Sequence, residues 1–297
     1  MIRIIYFLIL FSFVSAQVIT NNSFNSSRSI AMAGAAVSNP GSAESVFYNP
    51  ANLSNLSGSS FLFGSTQFYQ QDNLNYEFAV LSFKLDKKNI MAVAIQKLGV
   101  NANQYWNQLS SEVSISFSQG FHLLKDRNSS LSFGYNVNYF ILNQGSSAGT
   151  LGDGSNGIPG KKIYSFGLDL GFLASLREKV SLGVFIKNIN SPRIGQGSNA
   201  QFLPRRLNIG CSYSPSKFLK TSLIYERLIY NESNQFRFGI EYEFHEYFIL
   251  RTGVQMKPNR FGFGFLSPIN DNLSVAYGLI THPILPLTHN VEVGLHF

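Results

Sequence analysis

From Ser59 onward, apolar and polar residues alternate in one segment after another. Phe236, Phe238, Ile240, Tyr242 and Phe244 share one parity, and Arg237, Gly239, Glu241 and Glu243 share the other. Leu131, Phe133, Tyr135, Val137 and Tyr139 stand against Ser132, Gly134, Asn136 and Asn138. Tyr164, Phe166, Leu168, Leu170 and Phe172 stand against Ser165, Gly167, Asp169 and Gly171. Successive side chains of a strand point to opposite faces, so each segment is a strand with one greasy face and one polar or very small face. Clusters of Gly, Asn, Asp, Ser and Pro set the strand ends. Fourteen strands follow, near 59–68, 74–84, 89–98, 111–121, 130–141, 163–173, 179–190, 204–214, 218–229, 234–244, 246–255, 260–267, 272–281 and 289–297. The last carries Val291, Val293 and Leu295 on one face and closes on Phe297.

In water the greasy faces must meet between two sheets; in a membrane they turn out to lipid. Loop lengths separate the two. The turns after the even strands are short: Asp86-Lys87-Lys88, Lys125 to Asn128, Arg177 to Lys179, Pro215 to Lys217, His245 alone, and Pro268 to Asp271. After the third, fifth and seventh strands they are long, at 99–110, 143–162 and 191–203, although the loops at 70–73 and 257–259 are short. Sorting by parity, with an even strand number, is the signature of a barrel with short periplasmic turns and longer external loops. Closure also leaves no unpaired strand edge in hydrocarbon, where each unsatisfied backbone group costs several kcal/mol. The expected fold is therefore all-β, a membrane β-barrel of about 14 antiparallel strands. The third strand is less clean. Met91, Val93 and Ile95 oppose Ala92, Ala94 and Gln96, so its inner face is apolar too. That face either lines the lumen with an apolar patch or packs on the N-terminal segment.

Composition agrees with a lipid-facing exterior. Charged residues make up 13% of the chain, against about 25% in soluble domains, and 27 Phe and 14 Tyr suit an apolar outer band with aromatic girdles. Met1 to Arg3 is a short basic start, Ile4 to Val14 is apolar apart from Ser12, and Val14 and Ala16 precede a cut. Residues 1–16 read as a secretory signal peptide, with the mature chain beginning at Gln17. Loss of Arg3 lowers the net charge from +7 to +6. The remaining Lys and Arg are scattered through turns, so the expected contacts are outer-membrane lipids and not nucleic acid. Cys211 is the single cysteine. It allows neither an internal disulfide nor a cysteine metal site, and it is expected to face lipid.

Residues 17–58 differ from the rest, being rich in Ser, Asn, Ala and Gly. Small residues let a backbone pack closely on a wall. Glu44 to Tyr48 can make one helical turn that stops before Pro50, because the residue preceding proline is pushed out of the helical region. Asn49 can bond its own backbone in a turn. The segment is expected to fold into the lumen as a plug, with 59–297 forming the barrel.

The run Ser27-Arg28-Ser29-Ile30-Ala31-Met32-Ala33-Gly34-Ala35-Ala36-Val37, followed by Ser42-Ala43-Glu44-Ser45-Val46-Phe47-Tyr48-Asn49-Pro50-Ala51-Asn52-Leu53, resembles the start of FadL-like outer-membrane barrels. Within them it looks most like the PorV/PorQ family. The resemblance implies a fourteen-stranded barrel with an N-terminal plug whose motif residues are Ser27, Arg28, Met32, Gly34, Glu44, Tyr48, Asn49, Pro50 and Ala51. Ser38-Asn39-Pro40-Gly41 departs from the acidic pair usual there, and the chain is shorter than typical fatty-acid transporters of the group.

No catalytic set, metal site or cofactor motif stands out. The five histidines, at 122, 245, 282, 289 and 296, lack metal spacing and read as interfacial or turn residues. Gly149 to Gly160 lacks the Lys-Ser/Thr ending of a phosphate loop, Asp153 is alone there, and no Gly-x-Ser-x-Gly elbow occurs. Lys187, Glu226, Arg237, Glu241, Glu243 and Arg251 are expected to point into the lumen, either as an ion network against the plug or as a polar constriction. Tyr105 and Trp106 are candidate loop contacts, since aromatic residues make good interface anchors. Phe297 is a candidate C-terminal signal for the barrel assembly machinery. The resemblance implies an accessory role in type IX secretion through binding of secretion components or secreted cargo. The alternative it implies is FadL-like passive transport of a hydrophobic ligand, which needs an apolar pocket and a gap in the wall; Pro204 is one place for such a gap. An orphan structural barrel or a lipid-active enzyme is the third reading.

Overall fold

The computed structural model describes residues 24–86, 89–101, 108–146, 156–194, 201–229, 233–245 and 247–297. The expected signal peptide, Tyr105, Trp106 and Asp153 lie outside them.

A closed antiparallel barrel is built from β1 (Ser60–Gln67), β2 (Leu74–Lys84), β3 (Asn89–Asn101), β4 (Gln108–Lys125), β5 (Ser129–Gln144), β6 (Lys161–Leu176), β7 (Val180–Lys187), β10 (Arg206–Tyr213), β11 (Leu219–Leu228), β12 (Asn234–His245), β13 (Phe248–Gln255), β14 (Arg260–Asn270), β15 (Leu273–Ile280) and β16 (Thr288–His296). Two short strands, β8 (Arg193–Ile194) and β9 (Gln201–Phe202), form a separate hairpin between β7 and β10. β1 closes on β16 in a register running from Ser60↔His296 to Gln67↔His289. Fourteen wall strands and their order match the expectation from alternation and loop parity.

The greasy parity faces out. Phe63, Ile95, Phe166, Leu223 and Phe263 are each exposed by 46% or more. A continuous belt of this kind is untenable in water and natural against acyl chains. Tyr139 and Tyr164 stack outside at the long-loop end, 6.1 Å apart and nearly parallel, where an aromatic girdle belongs. Cys211 is exposed on the same outer face.

Two departures from the expected boundaries matter. β4, β5 and β6 run for 18, 16 and 16 residues, well beyond the expected 111–121, 130–141 and 163–173. β7 is shorter than expected and ends at Lys187, because Asn188 takes the left-handed conformation with φ 57°. β6 pairs with β7 only over Leu170–Leu176, while it pairs with β5 along its whole length. Above Leu170 the edge of β6 is met by Ile189 N–H on the Leu168 carbonyl (2.8 Å), and by the Asn190 side chain, which accepts from Leu168 N–H (2.9 Å) and donates to the Phe166 carbonyl (2.8 Å).

The N-terminal segment fills the lumen. Helix α1 (Ser27–Ala31) is capped by Ser26, whose hydroxyl accepts from Ser29 N–H. Two 3-10 turns follow, Ala43–Phe47 and Pro50–Asn55. Asn49 is extended before Pro50 and accepts from Ala51 N–H at 3.1 Å, the local bond expected of it.

Close approach of plug to wall depends on glycine. The wall glycines line up across strands as Gly120↔Gly134↔Gly171 and Gly239↔Gly253↔Gly262. A methyl group on Gly134 would overlap the Pro50–Ala51 peptide, and one on Gly253 would overlap the Met32 carbonyl. The very small residues of the inner parity are thus the seat of the plug.

Candidate functional site

Within this frame, the predicted plug and lumen residues are distributed over two ion networks. In the first, Glu241 on β12 receives Arg28 of the plug (Nη2–Oε1, 2.9 Å) and Arg251 of β13 (Nε–Oε2, 2.8 Å), with Lys220 of β11 at 4.0 Å. Arg28 also faces Glu44 at 3.8 Å, tying the start of the plug to its middle. In the second, Glu226 receives Arg237 (2.9 Å) and Arg206 (3.6 Å). Arg237 and Arg260 both lie over the ring of Phe24, at 5.6 and 5.2 Å from its centroid. Ser27 donates its backbone N–H and its hydroxyl to Glu292 Oε2, both at 3.1 Å. The structure therefore places Ser27, Arg28, Arg237 and Glu241 in direct plug–wall contact, while Glu226 and Arg251 bind wall partners and Glu44 binds Arg28 within the plug.

Other motif residues serve packing and local bonding. Met32 sits under Gly239 and Gly253, and Gly34 (φ 85°) lies against the Arg237 guanidinium. The Tyr48 hydroxyl donates to Ser26 at 2.6 Å. Burial, with Glu44 nearby, pushes that hydroxyl well above its ordinary pKa, so it stays neutral. The Asn49 amide donates to the carbonyls of Val37 and Phe172, each at 3.0 Å, and Pro50 and Ala51 rest on the glycine row.

Lys187 is buried where β7 ends, near Asp169. Glu243 is half-buried at the turn end of β12, opposite Ile249, outside both networks. Phe297 is 75% exposed and donates its backbone N–H to Ser59 at 2.9 Å. Pro204 lies just before β10, where its carbonyl accepts from Asn188 Nδ2 at 3.2 Å.

The apolar inner face of β3 packs on the plug: Ala92 and Ala94 form one cluster with Val46, Phe47, Tyr48, Phe78 and Val80. A second apolar cluster sits toward the long loops, where Phe140, Ile194 and Leu203 are buried with Leu142 and Ile163 against them.

Three arrangements escaped sequence reasoning. His122 is not interfacial; it lies in the lumen 2.9 Å from Ser132, whose hydroxyl accepts from Ser54 of the plug at 2.8 Å. Its inner-face parity on β4 was the available signal. Asp169 accepts from Asn136 (3.2 Å), Asn138 (2.7 Å) and Asn188 N–H (2.8 Å). Its polar parity was visible, but its part in ending β7 was not. Ser212 and Ser222 both donate to plug Asn39 Oδ1, at 2.6 and 2.8 Å.

These features define a plugged, closed barrel of fourteen antiparallel strands with an apolar exterior. Its fold is that of the FadL-like barrels. It is similar to the toluene transporter TbuX of Ralstonia pickettii, with TM-score 0.64 and 12% identity over 92% of this chain and 98% of that one. It is also similar to the CymD monoaromatic hydrocarbon channel, with TM-score 0.67 and 13% identity over 92% and 97%. A Pseudomonas aeruginosa FadL homologue gives TM-score 0.58 and 10% identity over 92% and 98%. No family model matches the chain, and no curated protein matches it.

Proposed function

We propose that this barrel passes small hydrophobic compounds into the outer membrane. The observation that carries the reading is the coincidence of an apolar cluster with an interrupted wall. Phe140, Leu142, Ile163, Ile194 and Leu203 gather beside the stretch where β6 loses β7 as a strand partner. On β6 the outward residues run from Leu176 at the short-turn end to Tyr164 at the girdle. Twelve steps of about 3.3 Å, tilted by about 45°, span roughly 28 Å, so Phe166–Leu168 falls at the level of the outer leaflet. A hydrophobic molecule held by the loop-side cluster leaves sideways there, past Ile189 and Asn190, without crossing the plug. The fold likeness to channels for toluene and monoaromatic hydrocarbons supports compounds of that class.

The second reading is an accessory barrel of type IX secretion that binds secretion components or cargo through its loops. The motif between Ser27 and Leu53 favours it. Uptake of radiolabelled toluene by cells with and without the barrel, together with native pull-down from solubilised outer membrane, separates the two. Faster uptake without stoichiometric protein partners supports transport. Unchanged uptake with co-purifying secretion proteins overturns it in favour of the second reading.

A further inference from the structure

Below the plug, a bay of about 520 Å³ opens at the end that carries the short turns and the C-terminus. Arg28, Glu44, Lys220, Arg251 and Glu292 line it. Glu241 stands behind the cations as the carboxylate they share. The floor therefore sets the cations Arg28, Lys220 and Arg251 against Glu44, Glu241 and Glu292, with Asp271, His296 and the C-terminal Phe297 also lining the bay, and the pairing among the first six is uneven. Glu241 is crowded by three cations, while no cation lies within ion-pair distance of Glu292 among the described residues.

Uneven pairing leaves spare groups of both signs. Arg251 uses Nε on Glu241, and its two terminal nitrogens have no hydrogen-bond partner among the described residues, although its side chain is only 7% exposed. Lys220 is held only by a 4.0 Å contact and its side chain is 27% exposed to the bay. On the acidic side, both bonds to Glu292 fall on Oε2, and among the described residues neither Glu292 Oε1 nor Glu44 Oε2 has a hydrogen-bond donor. A forked guanidinium with an ammonium beside it suits a carboxylate or phosphate. An unpaired carboxylate oxygen a short way off suits an ammonium. A lone anion would meet Glu44 and Glu292, and a lone cation would meet Lys220 and Arg251. Only a ligand carrying both charges satisfies the two sets together.

We propose that this bay binds a small zwitterion, a primary ammonium and an anionic group joined by a short spacer, entering from the periplasm. The anionic group sits on Arg251 and Lys220, and the ammonium on Glu292 with Glu44 behind it. Two sources offer that chemistry: the phosphoethanolamine headgroup of an aminophospholipid, and a free amino acid.

The test uses the full-length barrel in detergent micelles and isothermal titration with glycerophosphoethanolamine, glycine and β-alanine, with ethylamine and acetate as single-charge controls. At least one zwitterion binds saturably, and at least tenfold more tightly than either control. Lys220→Met and Glu292→Gln each weaken that binding at least tenfold, and Lys220→Arg restores it, while the heat-dependent gel mobility of a folded barrel is retained. Preference for glycerophosphoethanolamine assigns the lipid source, and preference for glycine or β-alanine assigns the free amino acid. Binding of no zwitterion, equal binding of a control, or binding unchanged in both substituted barrels overturns the proposal.

Discussion

Asp169 on β6 accepts the backbone N–H of Asn188 at 2.8 Å, so a buried carboxylate on one strand fixes the left-handed residue that ends the next. The same carboxylate takes the amides of Asn136 and Asn138. Hydrogen bonds to a charged acceptor contribute about 1.5–3 kcal/mol each, and donors left unsatisfied in a buried site add to the loss. Asp169→Ala is therefore expected to lower barrel stability by about 3 kcal/mol and to release the 188–190 bend. Hydrogen exchange at Asn188 and Ile189 checks this; unchanged protection there would separate the bend from Asp169.

Arg28 and Glu241 form a plug-to-wall ion pair at 2.9 Å, with side chains 7% and 13% exposed. Removing one partner of a buried pair typically costs about 3–5 kcal/mol, because the other charge is stranded. Arg28→Met strands Glu241 only partly, since Arg251 and Lys220 remain near it, and it also deprives Glu44 of its cation. Glu241→Gln strands Arg251 and Lys220 and leaves Arg28 only Glu44 at 3.8 Å, and should be the more damaging change. The double variant is expected to lose less than the sum of the two single losses. Denaturant titration of all four proteins in detergent measures the difference.

The glycine rows make the plug sensitive to single methyl groups. Gly253→Ala places a Cβ on the Met32 carbonyl, and Gly134→Ala places one on the Pro50–Ala51 peptide. Overpacking of this kind costs about 1–3 kcal/mol and pushes backbone away. Both variants should keep a closed barrel and expose residues 24–56 to protease, which limited proteolysis with mass spectrometry will read. A plug as resistant as in the unaltered protein would mean the wall yields in its place.

Tyr48 gives the plug an alkaline limit. Burial, then the nearby Glu44 charge, raises its pKa well above 10.0, the ordinary value. The unfolded chain ionises first as pH rises, so the contribution of neutral Tyr48 is full below about pH 10 and is lost above it. Tyr48→Phe should lack this component of the alkaline loss, at the cost of the Ser26 bond, about 0.5–1.5 kcal/mol at neutral pH. Thermal melts from pH 8 to pH 11 compare the two proteins.

Leu203 is 2% exposed within the loop-side apolar cluster. If hydrophobic compounds rest there, Leu203→Lys brings a charge and its water into the path, and toluene uptake should fall at least tenfold while the barrel still folds. Uptake equal to that of the unaltered protein would exclude this cluster from the route.

Strand number and facing were readable because a strand in a membrane wall repeats its environment every second residue, as Phe236 to Phe244 does on β12. Lumen charges such as Glu241 and Arg251 were readable for the same reason. Ends were harder. The sequence parity of β7 breaks after Lys187, where Asn188 falls on the outward parity and Ile189 on the inward one, but the contact with Asp169 that fixes this stop lies on another strand. The hairpin Arg193–Ile194 with Gln201–Phe202 has too few residues to alternate at all. Partner choice was also hidden: parity placed Glu241 inside, but only three-dimensional proximity gave it Arg28, Arg251 and Lys220 while leaving Glu292 to Ser27.

The seam between β1 and β16 joins the first wall strand to the last, and the plug lies upstream of both. Biogenesis is thereby ordered in time. Sealing of the wall waits on the last strand, since Ser60 can pair with His296 only when the final hairpin is in place. A nascent chain halted before β16 would leave β1 and β15 as unpaired edges, and the nine residues of β16 are the latch that closes the wall.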